Sequence, residues 1–193
     1  QFDSAQNVNI GRRPVADSFF NGVVDEVRIY NRALSAGEIS TLFNSGAAKF
    51  NVSPTKYLIS GLAGYWTMDG QDTSWTSATA ATTVDKSGKG NTGTLTNMNQ
   101  ATAPAIGKLG QALNFDGVDD FVNAGSGASL DNLTALTYAA WVYPRSIGAE
   151  HMIVGKSDGI DGKAIELGGT NQVISYVDMD NLDDAAASSA LDT

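Results

Sequence analysis

Cysteine is absent from the 193 residues, which excludes a disulfide, a thiolate metal site and a thiol nucleophile. The absence does not fix a compartment, though it is compatible with an exported bacterial protein. Charge is sparse at 17% of residues, and cations are scarcer than anions, 12 Lys and Arg against 21 Asp and Glu. The net charge of -9 and the scattering of Arg12, Arg13, Arg28, Arg32, Lys86 and Lys89 argue against nucleic acid, whose phosphates need clustered cations. No stretch approaches the roughly 18 apolar residues of a membrane helix, so no membrane insertion is expected. Phosphate loops, dinucleotide fingerprints and amphipathic basic helices are missing as well. The chain opens on Gln1 with no initiator Met and no apolar signal segment, and reads as a processed or excised piece.

What is present points to strands. Apolar residues make up 42%, enough for one good core or at most two small ones. The 21 glycines, with many Thr, Ser and Asn, suit short strands joined by polar turns. Residues 8–13 and 19–30 read as two strands around a turn at 14–18. In the second, Val23, Asp25, Val27 and Ile29 alternate with Val24, Glu26, Arg28 and Tyr30. Asp25 interrupts its apolar face and needs a partner. Ser35 and Glu38 have the spacing of a capping box, and Ile39, Leu42 and Phe43 form the apolar stripe of a helix over 35–44 that Gly46 ends. Residues 47–60 read as a linker. Beyond it, strands are expected at 62–68, 93–97, 111–116, 119–124, 135–143, 150–156, 163–168 and 172–178. Residues 71–83 read as a polar loop and 178–193 as an acidic, Ala-rich loop or frayed end. Turn signals every 8–12 residues or so indicate a sandwich or barrel.

Four motifs, with the aromatic strand TYAAWVYP (137–144), carry a family likeness: VDEVRIYNRALS (24–35), GYWTMDG (64–70), DKSGKGNTGTL (85–95) and GQALNFDGVDDFV (110–122). Together they resemble the bacterial laminin-G-like domains of the concanavalin A-like lectin/glucanase superfamily. The resemblance implies an all-β, antiparallel jelly-roll β-sandwich with one short helix. It also implies a reversed order, because GYWTMDG opens such a domain and VDEVRIYNRAL closes it. Residues 1–46 then read as the end of one sandwich, 47–60 as a linker and 61–193 as the beginning of the next, with roughly 30 central residues lacking. The first and last strands are expected to pair, because leaving them apart exposes two apolar edges. Pairing within the chain gives a permuted single domain; pairing between chains gives a domain-swapped dimer or a head-to-tail assembly.

The resemblance further implies a structural calcium near the meeting of first and last strands. Ca²⁺ takes 6–8 oxygen ligands, chiefly carboxylates and loop carbonyls. The candidate ligands are Asp85 and Asp25, with Gly90 and Asn91 as carbonyl donors, and the acidic turn Asp116, Asp119 and Asp120. The competing reading gives Asp85 an Asx-turn and Asp25 a hydrogen bond to a neighbouring loop. The acidic run 178–184 lacks the Gly and bidentate Glu of an EF-hand and reads as a solvated loop.

Flat rings hold sugars by stacking on the apolar faces of pyranoses. Trp75 lies in a polar loop with no obvious core to join and is the first candidate for ligand binding, with Tyr143. Trp66, Trp141, Tyr65 and Tyr143 sit in strand patterns, where one set must face the core. Catalysis is poorly supported. Glu150 and the single histidine, His151, are adjacent in a strand and point to opposite faces, as do Asp25 and Glu26. The superfamily's glucanases place paired carboxylates on one strand face, and no such pair is found here. The chain is therefore expected to be a non-catalytic extracellular or cell-surface binding or adhesion module, recognising a glycan or a cell-surface protein. The alternatives are a structural spacer repeat of a surface protein and a metal-assisted hydrolase.

Overall fold

A computed structural model describes residues 6–14, 18–45, 56–147, 150–157, 162–168, 172–178 and 185–190. The first strands are β1 (Val8–Ile10), β2 (Arg12–Arg13), β3 (Ser18–Phe19) and the ten-residue β4 (Asn21–Tyr30). Helices α1 (Ala36–Ser45) and α2 (Lys56–Ile59) follow. The chain then runs through β5 (Leu62–Trp66), β6 (Thr73–Trp75), β7 (Ala81–Thr83), β8 (Gly93–Thr96), β9 (Pro104–Ile106), β10 (Gln111–Asp116), β11 (Phe121–Gly125) and β12 (Thr137–Pro144). The last strands are β13 (His151–Ser157), β14 (Gly162–Gly168), β15 (Gln172–Asp178) and β16 (Ala185–Ala190).

Two antiparallel sheets face each other, as a jelly-roll sandwich requires. The larger has the order β16-β15-β14-β13-β1-β11-β8-β7-β6, and the smaller has β12-β4-β10-β9 with β5 also on β4. The early and late segments therefore interleave. β1 lies between β11 and β13, and β4 takes β12 along one edge and both β10 and β5 along the other. The closing and opening strands pair within the chain, Val27 opposite Trp66 and Arg28 opposite Tyr65. The core between the sheets draws on both parts: Ile10, Phe20, Val27 and Ile29 pack with Trp66, Leu113, Phe115 and Val154. Phe20 and Phe115 meet edge to face at 6.2 Å between centroids, a geometry favoured by the ring quadrupoles.

Four expectations are corrected by the fold. Residues 71–83 are not a plain loop, since β6 and β7 form a short hairpin with Thr73 opposite Thr83. Residues 185–190 form a strand paired with β15. The linker contains the single turn α2, whose Leu58 packs with Tyr30, Leu42 and Leu62 in a small cluster outside the main core; residues 46–55 lie outside the described residues.

The fourth concerns β4, which does not alternate throughout. Asp25 is opposite Trp141 and Arg28 opposite Ala139, so β4 carries one extra residue there, a β-bulge. Glu26 takes it up with φ of 56°, a left-handed conformation costly for a side chain with a Cβ. Beyond the bulge the faces are reset. Val24, Val27 and Ile29 face the core, while Glu26, Arg28 and Tyr30 face outward beneath α1.

Candidate functional site

The bulge divides the second edge of β4. Residues Asn21 to Val24 pair with β10, residues Val27 to Tyr30 pair with β5, and Asp25 sits at the gap between them. Asp25 is 2% exposed. Its Oδ2 accepts from the Leu109 amide at 2.9 Å, and its Oδ1 is buried without a partner. A methyl group at Gly107 would come within 2.6 Å of Asp25 Oδ2, so glycine is what lets this loop close over the carboxylate. Burial is the main cause that pushes the Asp25 carboxyl up to about 6, with Glu26 and Asp69 adding repulsion and the loop amides opposing it. Asp69 flanks the same loop, where Gln111 N donates to its Oδ1 at 2.6 Å. Asp69 stands in the GYWTMDG motif, but reading that motif as a strand gave its carboxylate no role.

Asp85 is elsewhere and differently employed. Its Oδ1 accepts from Tyr65 N at 3.0 Å and Ser87 N at 2.8 Å, and its Oδ2 accepts from Asn91 N and Asn91 Nδ2, both at 2.9 Å. Four donors occupy the acceptor sites of this carboxylate, the arrangement that the Asx-turn alternative describes. Asn91 is committed too: its Nδ2 also reaches Ala63 O, and its carbonyl accepts from Trp66 Nε1 at 2.8 Å. With Lys86 N donating to Tyr65 O at 2.7 Å, residues 85–91 form a latch on the edge of β5 turned away from β4. Gly90, at φ of 81°, supplies the turn that the latch needs.

The third acidic group lies at the far end of β10, roughly 17 Å from Gln111 for a strand of this length. Oxygens of Asp116, Asp119 and Asp120 lie within 4.8 Å of one another. Asp116 Oδ1 accepts from Val118 N at 2.8 Å, and Asp120 Oδ2 accepts from Asp116 N at 3.1 Å. Burial, ahead of the repulsion of its two neighbours, raises the Asp120 carboxyl to about 6. The acidic residues that the sequence places in one pool thus belong to three separate places in the fold. The acidic run at 179–184 lies outside the described residues.

Among the aromatics, Trp75 does have a core to join: it is half-buried and packs against the main cluster. Tyr143 is 70% exposed near the end of β12. Trp141, two residues earlier, points to the same outer face. Its ring meets Phe43 of α1 at 5.3 Å between centroids, and Lys108 Nζ lies 5.0 Å over it. Only Leu42 of the helix's apolar stripe is buried; Ile39 and Phe43 stay exposed. Beneath them runs a groove of about 340 Å³ with Glu26 and Arg28 on its floor. Glu26 is 4% exposed; Tyr65 Oη donates to its Oε2 at 2.9 Å, and Arg28 bonds the same oxygen. Arg28 also lies 4.3 Å over the Tyr65 ring.

His151 meets Ser18 Oγ at 3.3 Å, while Glu150 is held by Arg13 at 3.2 Å and does not orient the imidazole. Burial lowers the His151 pKa. No helix among the described residues is long and apolar enough to cross a membrane.

No curated protein and no solved structure matches the chain. Residues 1–40, which contain VDEVRIYNRALS and the strand that forms the bulge, match a laminin-G-type family model described as the concanavalin A-like lectin/glucanases superfamily.

Proposed function

We propose that the chain is a non-catalytic carbohydrate-binding module of an extracellular or cell-surface protein, stabilised by calcium at the Asp25 seam. The observation that carries the reading is the match over residues 1–40, whose description joins lectins with glucanases. The lectin half is favoured because the carboxylates of β4 diverge at the bulge. Asp25 turns to the Leu109 loop and Glu26 to Arg28 and Tyr65, so they do not form the acid and nucleophile pair of a glycoside hydrolase. A glycan array read with and without EDTA tests the proposal. Binding to a glycan class supports it, and a null result in both conditions favours the structural-spacer reading.

Calcium is supported by one feature of the seam, the buried Asp25 oxygen that lacks a donor beside a second carboxylate, Asp69. An unpaired buried carboxylate is costly, and a hard cation with oxygen ligands removes that cost. Asp25 and Asp69 would hold the ion, which would supply charge compensation where β4 passes from β10 to β5. Calcium that leaves the melting temperature unchanged at neutral pH would rule this out.

A further inference from the structure

The bulge at Glu26 places a strained residue and a buried carboxylate under an open aromatic groove. Strained backbone persists where the surroundings impose it and often marks a site where a side chain is re-aimed. Here the re-aimed group is Glu26, turned onto the outer face of the smaller sheet. Both of its donors, Tyr65 Oη and Arg28, use Oε2. Oε1 of this groove-lining residue is therefore left to accept a hydrogen bond from a ligand. Arg28 compensates the charge of Glu26, so the floor is polar and internally neutral.

The walls have the opposite character. Trp141 and Phe43 present rings, Ile39 and Ile165 add aliphatic surface, and Phe43 is 60% exposed. The two rings meet each other at 5.3 Å between centroids, and Phe43 stays largely open to solvent. Lys108 is an exposed side chain over Trp141, and a contact of that kind is weak enough to be displaced. The volume, about 340 Å³, lies at the lower end of the range for small-molecule sites.

Resting on the carbohydrate-binding reading above, we infer that the groove between α1 and β12 binds a neutral pyranose, with its apolar face against Phe43 and Trp141 and a hydroxyl donating to Glu26 Oε1. A pyranose has both surfaces at once: axial C–H groups for the rings and hydroxyl donors for a carboxylate. An acidic sugar gains no free cation on this floor, because the Arg28 charge is already committed to Glu26. The ligand site is then not Trp75, which packs on the main core, and it adjoins the Asp25 seam, since Trp141 lies opposite Asp25.

The test is calorimetric titration and tryptophan fluorescence of the full chain with neutral gluco-, galacto-, manno- and xylo-oligosaccharides and with their uronate counterparts. Binding of a neutral series is expected, weakened about ten-fold or more by Trp141→Ala and by Phe43→Ala and unchanged by Trp75→Ala. Phe43 is a surface residue, so its variant keeps the test informative should Trp141→Ala fail to fold. Glu26→Gln is expected to weaken binding while leaving stacking fluorescence changes in place. Neutral-sugar binding that survives Phe43→Ala and Trp141→Ala, or falls only with Trp75→Ala, would overturn the groove while leaving the carbohydrate reading intact. Preference for uronates would overturn the neutral class. Failure of the wild-type chain to bind any saccharide would overturn both.

Discussion

The Leu109 amide donates to Asp25 Oδ2 at 2.9 Å while the other oxygen of the same carboxylate stays buried and unpaired. Burial of that carboxylate makes the seam sensitive to pH. The Asp25 carboxyl lies at about 6 in the folded state, against an ordinary value of 3.8. The folded protein therefore holds this proton more tightly than the unfolded chain. The stabilisation from protonation is complete below pH 3.8 and is lost as pH rises through 6. Asp120, also at about 6, acts in the same direction.

Without calcium, stability should thus fall between pH 4.5 and pH 7.5, by an amount on the order of 2 kcal/mol from Asp25. Asp25→Asn should flatten the dependence, leaving the share of Asp120. Saturating calcium should raise the melting temperature at pH 7.5 more than at pH 4.5, because only the ionised carboxylate is a good ligand. Thermal melts across this pH range, with calcium and with EDTA, decide the point. A calcium effect that survives Asp25→Asn would place the ion elsewhere.

Asp85 gives a contrasting expectation. Its four donors include three backbone amides that lose this acceptor if the carboxylate is removed. Asp85→Ala should destabilise the fold by about 3 kcal/mol or more in urea titration, since buried unsatisfied donors cost roughly 1–3 kcal/mol each. The shift produced by calcium should be unchanged, because the residue latches β5 and the ion is proposed at Asp25. A loss of the calcium response with little loss of stability would reverse that assignment.

Glu26 and Arg28 can be separated by a double variant. Arg28→Met removes the compensating charge from a carboxylate that is 4% exposed, so the variant should lose about 3–5 kcal/mol at pH 7.5. Adding Glu26→Gln to that variant should recover part of the loss, because it removes the uncompensated buried charge. Urea titrations of the wild type, the single variant and the double variant measure this. No recovery in the double variant would show that Arg28 acts through packing on Tyr65 alone.

Much of the architecture could be read from the residues. The alternation on either side of Asp25, the capping box and the turn-bounded strands after Gly61 all rest on local chemistry, and local chemistry survives folding here. The reversed order of the motifs also pointed to the β4–β5 pairing. The bulge was not legible, because Glu26 carries no glycine or other mark of a positive φ; its conformation follows from β4 having to meet β10, β5 and β12 at once. Misreading that one residue assigned the faces of β4 wrongly and hid the groove. Trp75 was misplaced for a related reason, since its burial depends on the β6–β7 hairpin packing against strands distant in sequence. Composition does not distinguish a carboxylate that accepts four hydrogen bonds, such as Asp85, from one that lacks a donor on one oxygen, such as Asp25.

Helix α1 forms one wall of the groove, and its stability is set at its first turn. Ser35 N donates to Glu38 Oε2 at 2.9 Å, Glu38 N donates to Ser35 Oγ at 3.4 Å, and Arg32 clamps the same carboxylate at 2.6 Å. The Arg32 bond is the leading cause that lowers the Glu38 carboxyl to about 2 from 4.5, followed by the bonds from Ser35. Here the sign is opposite to that of Asp25: the contribution is full above pH 4.5 and is lost as pH falls through 2. Of the helix's apolar stripe only Leu42 is buried, while Ile39 and Phe43 are exposed, so tertiary packing cannot replace a lost cap. Ser35→Ala should therefore cost about 1 kcal/mol and speed amide exchange in α1 before it affects β4. If the groove is the sugar site, the same variant should weaken binding at neutral pH through the lost position of Phe43, with Trp141 unchanged. Hydrogen exchange resolved by segment, measured beside a binding titration, tests both links; exchange rising equally in α1 and β4 would mean that the cap stabilises the whole sandwich and not the wall alone.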